Sequence, residues 1–583
     1  MLKLSPQQKQ AATHQGHSLV LGSAGTGKTT VLCEKVKQLL DRDIEGRDIC
    51  VVLFTYRACL HVEVALREYL GERAEHVTVV TLRDLCLETL KDVELEDAVA
   101  DGQDMRRILR YAMRSVEFAG TVKEAEHIIR KFYGQMEEPQ ENERHANLFT
   151  AYQNYMKQYG FIDRFALIRK SLALLESSEA SKVPYQHIIV PHVHEATPVQ
   201  LMWLLKHHDS AELTCFADDN QHLFVHDGAI GGGVVKLLQE EHGFPLFHLE
   251  TNYVQDQGIG RAAENFVAGA KGYVRKKIQF SRSGKGQLQT RIYKSYADEV
   301  SALMSTIHEI LSKDDSQKIA ILTRHDREAQ RIERVLRTKG YGAHMASRAT
   351  PIWEFPGAIL VLDLLDLLFD QAKPQQLMNI LTSFGISHSL TQILFREGLV
   401  SEKWLAEGAP IPKGLDLPKN VFSELQLVRS RLTKPYEILV KQQAPSRDVF
   451  KSIVFDLLQS LGEEAKRDAL IATEFVLSFE GKVKDLPSVA RKTFSDFSKD
   501  KPVVVSPVHT SQGLVCDVVI IPFVSEGMFP FTGYTSIGKD MHHDRRLMYQ
   551  AITRSKHQII LSCHGEPSPF MDELKALFSQ VSH

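Results

Sequence analysis

Residues 19–30 read LVLGSAGTGKTT, and their types and spacing suit a loop that wraps a polyphosphate. Gly22, Gly27, Lys28 and Thr29 meet the full pattern G-x-x-x-x-G-K-[ST]. Gly22, Gly25 and Gly27 let the backbone turn tightly and aim its N–H groups inward, at the positive end of a following helix. Lys28 can reach the β and γ phosphates, and the Thr29 hydroxyl can hold Mg²⁺. Ser23, Ala24, Thr26 and Thr30 complete the loop and the first helical turn. A chance Gly-rich turn is the alternative. The complete pattern between an apolar run (19–21) and a helix-periodic stretch (30–40) argues against it.

Positioning such a loop takes a sheet. Apolar β-type runs recur at 49–54, 77–80, 188–190 and 213–216, with helical patterns between most of them. That alternation predicts a parallel sheet covered on both faces. From about 91 to 180 the β runs stop and the chain turns charged and helical, as in MRRILRYAMRSVEFAG and EAEHIIRKFYGQMEE. A second α/β pattern starts near Leu288. In DEVSALMSTIHEIL the apolar residues Val300, Leu303, Met304, Ile307, Ile310 and Leu311 fall at helical spacing, and a strand at 319–322 follows. No strand series is visible from about 356 to 495, and the pattern returns at 503–505, 518–522 and 559–562. The expected organisation is a first sheet domain (1–90 and 181–262) interrupted by a helical insertion (91–180). A second sheet domain (263–355 and 496–583) is interrupted by another (356–495).

Upstream of the loop, Ser5 and Pro6 make a good helix start. Gln8, just inside it, could read an adenine edge with its paired amide donor and acceptor. Taken alone, the segment favours a solvated helix turn.

A chain of 583 residues is too long for one core and suggests roughly three to five domains. With 43% hydrophobic and 25% charged residues and a net charge of −3, it has the composition of an ordinary globular protein. Nucleic-acid binding therefore has no support from bulk charge and would need a local basic groove. The cysteines (Cys33, Cys50, Cys59, Cys86, Cys215, Cys516 and Cys563) include no C-x-x-C pair. That spacing argues against a zinc site or a disulfide framework and fits a reducing compartment. The first residues lack the apolar core of a signal peptide, and no run of about 18 apolar residues occurs. A soluble, cytoplasmic protein without a membrane partner is expected.

The motifs, taken in order, resemble the UvrD/Rep branch of superfamily 1 helicases over nearly the whole length. LSPQQKQAA is similar to the family's Q motif, with Gln8 at the adenine-contacting position, and GSAGTGKTT to motif I. LFTYRA from Leu53 resembles motif Ia, and VTLRDLC from Val80 the family's TFHSLC segment. FADDNQHLF from Phe216 is similar to motif III, placing Gln221 where the family couples nucleotide to DNA. VSPVHTSQGLVCDVVIIP from Val505 resembles motif V, and DRRLMYQAITRSK from Asp544 motif VI, with Arg554 at the γ-phosphate position. The resemblance implies an α/β fold of two RecA-like P-loop NTPase domains with parallel sheets, each carrying a mainly helical insertion. It implies ATP and Mg²⁺ in the cleft between them and single-stranded DNA across the domains.

Several motifs depart from that family. Motif II would place DEAQD after the strand HIIV, but here residues 191–198 read PHVHEATP. Ungapped alignment puts Pro191 at the Mg²⁺-binding Asp and His192 at the catalytic Glu. A three-residue slide recovers Glu195 but no Asp. Mg²⁺ is a hard cation that takes carboxylate and phosphate oxygens, so the ion is expected to be weakly held. His192 could in principle take a proton from water, although an ordinary polar residue at a strand end is the simpler reading. Motif IV reads Asn252-Tyr253-Val254-Gln255 where the family has NYRS, so its arginine is missing. On the nucleic-acid side His226 and Asp227 replace an aromatic and an arginine, weakening a stacking platform and inverting a charge. In motif V, Gln512 and Val515 stand at a usual Lys and Glu. Phe54, Thr55 and Arg57 remain candidate nucleic-acid contacts, Phe54 being equally suited to the core.

These residues lead to a two-lobed protein that binds ATP and single-stranded DNA, with hydrolysis lost or strongly weakened. It would serve as a regulatory or structural subunit beside a nuclease or other effector in DNA processing or defence. An active translocase, with Glu195 or Asp218 reaching the metal or water, is the alternative. A scaffold without nucleotide is a third reading.

Overall fold

The computed structural model describes residues 4–90, 97–100, 102–140, 143–221, 228–271, 273, 276–338, 343–345, 356–368, 502–531 and 541–582, with a few helical residues between 380 and 473. The chain divides into two compact units, residues 1–346 with 501–583, and residues 347–500. In the second of these, the helix Pro356–Leu368 is described, and its Leu360, Val361, Leu364 and Leu365 are buried.

The first unit holds two lobes. Strands β1 (Ser18–Gly22), β2 (Ile49–Leu53) and β3 (Thr78–Thr81) precede a helical region. There the two-residue strands β4 (Ala98–Val99) and β5 (Phe161–Ile162) pair with each other. Strands β6 (His187–Val190), β7 (Glu212–Ala217) and β8 (Leu246–Leu249) complete the first lobe. Its six-stranded sheet has the order β3-β2-β6-β7-β1-β8, and every pairing is parallel. Side chains alternate across the sheet: Leu19, Leu21, Cys50 and Val52 enter one apolar core, while Val20, Val51 and Leu53 enter the other. Burial on both faces explains the continuous apolar runs of the sequence. The helical region has its own core around Ile108, Leu109, Phe132, Phe149 and Tyr152, formed by helices that include Gly102–Ser115, Val122–Gly134 and Ala146–Gln158.

Strands β9 (Thr251–Asp256) and β10 (Gln279–Arg282) form a separate parallel pair. The second lobe contains β11 (Gln287–Tyr293), β12 (Ile319–Thr323), β13 (Ala343–Met345), β14 (Val503–Pro507), β15 (Cys516–Ile521) and β16 (Ser555–His564). Their order is β11-β16-β15-β12-β14-β13, again parallel throughout. Ile319 and Ile321 face one core, and Ala320 and Leu322 the other. The α/β class and the two parallel sheets agree with the sequence reading. Strand ends differ by up to a few residues; β16 begins at Ser555, four residues before the apolar run that announced it.

All seven cysteines are buried with free thiols. Among the described residues no helix is long and apolar enough to cross a membrane.

Candidate functional site

In an open parallel sheet, ligands collect at the carboxyl ends of the strands. Here β1 lies between β7 and β8, and β7 lies beside β6, so the residues leaving β1, β6 and β7 converge at one edge. Leu21 pairs with Ala217 in register, which sets Gly22 level with Asp218.

The loop after β1 has the geometry a polyphosphate needs. Gly25 and Gly27 have φ of 77° and 82°, in the left-handed region that favours glycine. A Cβ on Gly27 would meet Nε2 of Gln8 at 2.5 Å, and one on Gly25 would meet Oε1 of Gln255 at 2.7 Å. Gly27 is the N-cap of the helix Lys28–Leu40, so the first turn's N–H groups face the loop without a capping side chain. Thr26 Oγ1 closes the loop on the Ser23 carbonyl at 2.9 Å, and Ala24 packs into the apolar core of the second lobe. Thr29 is exposed on the first turn, with Thr30 half-buried beside it.

Lys28 folds over this loop. Its Nζ donates to the carbonyls of Gly22 (2.7 Å) and Ser23 (2.9 Å) and to Oδ2 of Asp218 (3.0 Å). Burial pushes the Lys28 ammonium down from its ordinary value, against the pull of Asp218. Burial also opposes ionisation of Asp218, but Lys28 and Lys276 hold its carboxyl well below the usual carboxylate range.

Gln8 lies on the helix Pro6–Thr13, which Ser5 starts with a capping box in which Gln8 Oε1 accepts from the Ser5 amide. It is buried, and its Nε2 donates to the Thr26 carbonyl at 3.1 Å. The solvated-turn reading is therefore corrected: Gln8 braces the loop, through a backbone acceptor that no sequence pattern displays.

His192 and Glu195 follow β6. His192 has φ 59° and caps a short 3₁₀ turn, Val193–Glu195. Burial, with Lys28 next, pushes its imidazole down to about 4, so the ring is neutral at pH 7. Its Nδ1 is buried with no hydrogen-bond partner among the described residues. Burial pushes the Glu195 carboxyl up to about 7, and its Oε1 accepts from Gln512 Nε2 at 2.6 Å. His194 Nδ1 accepts from the Asp218 amide at 3.1 Å, which places a neutral His194's proton on Nε2. Pro191 brings no side-chain oxygen to the strand end, and Lys28 and Lys276 both lie against the Asp218 carboxylate.

Residues the sequence reading passed over complete the cleft. Asn252 Nδ2 donates to the Ala24 carbonyl (2.9 Å), while its Oδ1 accepts from the amides of Val254 (2.9 Å) and Gln255 (3.1 Å). Gln255 Nε2 donates to the Thr553 carbonyl at 2.6 Å, next to Arg554. Glu264 accepts from Asn220 Nδ2 (3.2 Å) and from Tyr549 Oη (2.7 Å). Asn252 and Gln255 stood in the sequence as neighbours of a missing arginine, but nothing in their spacing showed that they tie the loop to the second lobe. Gln221 is buried in the turn Asp219–Gln221 at the end of β7. Arg554 is buried and donates to the Gln550 carbonyl (3.0 Å) and Thr553 Oγ1 (3.2 Å).

The nucleic-acid candidates are less closely gathered. Phe54 is half-buried against the first lobe's core, which supports its apolar reading. Thr55 caps the helix Tyr56–Leu70, its hydroxyl accepting from the Ala58 amide at 3.2 Å. Arg57 lies in the first turn of that helix, and its side chain is outside the described residues, as is the whole of His226.

Comparison with known proteins agrees with this geometry. The UvrD/REP helicase N-terminal domain matches residues 4–240, and the UvrD-like helicase C-terminal domain matches 247–386 and 482–566. The chain is 21% identical to the ATP-dependent DNA helicase PcrA of Staphylococcus epidermidis, over 96% of this chain and 83% of that one. It is 22% identical to the ATP-dependent DNA helicase UvrD1 of Mycobacterium tuberculosis, over 96% and 82%, and to the ATP-dependent DNA helicase Rep of Buchnera aphidicola, over 96% and 95%.

Proposed function

From the premise that the chain belongs to the UvrD/Rep helicase family, we propose that it binds ATP between its lobes and single-stranded DNA across them, with hydrolysis lost or strongly weakened. It acts as a regulatory or structural subunit of a DNA-processing or defence complex, beside a nuclease or other effector. The nucleotide is held by Gln8, the loop 22–30 and Arg554, and Mg²⁺ is held weakly through Thr29 and phosphate oxygens.

One observation carries this reading. The carboxylate that motif II would supply is missing at Pro191, and the displaced candidate, Glu195, is bonded to Gln512 with its carboxyl pushed up to about 7. Val254 adds no cation where motif IV would have one. A general base contributes about 10² to 10⁴ in rate and a γ-phosphate arginine about 10³ to 10⁵, acting as parts of one unit. Ground-state affinity survives such losses, because backbone N–H groups and Lys28 bind the substrate and the transition state alike.

The alternative is an active translocase in which Asp218 supplies the missing carboxylate, favoured by its place 3.0 Å from Lys28. Equilibrium binding of ATP, with Lys28→Ala as control and hydrolysis followed on the same samples, tests both readings. Lys28-dependent binding without turnover supports the first, and rapid turnover lost in Asp218→Asn supports the second.

A further inference from the structure

Lys276 lies between the helix Gln257–Val267 and β10, in a stretch that no motif covers. Its side chain is only 10% exposed, and its Nζ is 3.4 Å from Oδ1 of Asp218, whose Oδ2 is 3.0 Å from Lys28 Nζ. One buried carboxylate thus bridges two ammonium groups at the mouth of the phosphate loop. The buried Arg554 guanidinium is near enough for its charge to bear on Lys28. Two lysines and an arginine thus gather around one ionised carboxylate beside the phosphate loop. A polyphosphate is the ligand whose charge complements such a cluster.

We propose that Lys276 is a second phosphate-binding cation of the nucleotide cleft, contacting the terminal phosphates of a nucleoside triphosphate alongside Lys28. The inference rests on the nucleotide-binding reading and sharpens it: the ligand class is a triphosphate, distinguished from a monophosphate by this lysine. Asp218 holds both ammonium groups in place until phosphate oxygens compete for them. An ammonium on a flexible four-carbon stem can follow that exchange without moving the backbone.

The test compares ATP and AMP affinity, with Mg²⁺ present, in the unmodified protein, Lys276→Met, Lys276→Arg and Lys28→Ala. One charge-assisted hydrogen bond corresponds to about ten- to a hundredfold in affinity. Lys276→Met should weaken ATP by that factor while AMP stays within about twofold, and Lys276→Arg should restore most of the loss. Unchanged ATP affinity in Lys276→Met, with binding abolished in Lys28→Ala, overturns the proposal and leaves the nucleotide reading intact. An unmodified protein that binds no ATP overturns both. Because Lys276→Met could fail to fold, the unmodified protein is also treated with an acyl-phosphate derivative of ATP, which acylates amines beside the terminal phosphate. Acylation of Lys276 supports the proposal, and acylation of Lys28 alone overturns it.

Discussion

The Gln512 side-chain amide donates a 2.6 Å hydrogen bond to Oε1 of Glu195, joining the loop after β14 of the second lobe to the turn after β6 of the first. Gln512 lies in the stretch that resembles motif V, and Glu195 lies in the stretch where motif II would run. Burial pushes this carboxyl up to about 7, while the Gln512 amide draws it down.

Stability should therefore depend on pH through Glu195. Its folded pKa, about 7, lies above the ordinary 4.5, so between those values the native state keeps a proton that the unfolded chain releases. Stability falls as pH rises through that window and levels out above pH 7, by on the order of 3 kcal/mol in total. Glu195→Gln removes the term. In unfolding experiments from pH 5 to 8 the variant should match the unmodified protein at pH 5 and exceed it at pH 8. A difference independent of pH would contradict the assignment.

Gln512→Leu removes the donor that lowers the Glu195 carboxyl, so the upper edge of that window should move to higher pH. A double-mutant cycle with Glu195→Gln should give a coupling energy of about 0.5 to 3 kcal/mol, as contacting residues do. A coupling of zero would mean that the lobes do not rely on this bond.

Asn252→Ala leaves the Ala24 carbonyl and the amides of Val254 and Gln255 without their side-chain partner. An unsatisfied buried group costs about 1–3 kcal/mol, so thermal stability and ATP affinity should fall together. Gly25→Ala should do the same from the other side, since its Cβ would press on the Asn252 and Gln255 side chains. Unchanged ATP affinity in both variants would show that the loop holds its shape without the second lobe.

How far these features were visible in the sequence follows from what each depends on. Buried parallel strands announce themselves as apolar runs, and the phosphate loop is contiguous, so both were legible. β16 was read short because Ser555, Lys556, His557 and Gln558 are polar at its start, although β15 pairs with this part of it as well. The burial of Gln8 did not show in its own segment because its partner is a carbonyl 18 residues away. The Glu195–Gln512 pair spans 317 residues and joins two motifs that each looked merely irregular. Lys276 carries no motif, and its partner Asp218 lies 58 residues away.

Binding of ATP without its turnover is open to direct measurement. Steady-state ATP hydrolysis is measured on the purified protein with Mg²⁺, with and without single-stranded DNA, beside Lys28→Ala. The expected result is Lys28-dependent ATP binding with turnover indistinguishable from that of the control. DNA-stimulated turnover of about 1 s⁻¹ or faster, within the ordinary range for phosphoryl-transfer enzymes and abolished by Lys28→Ala, would contradict it.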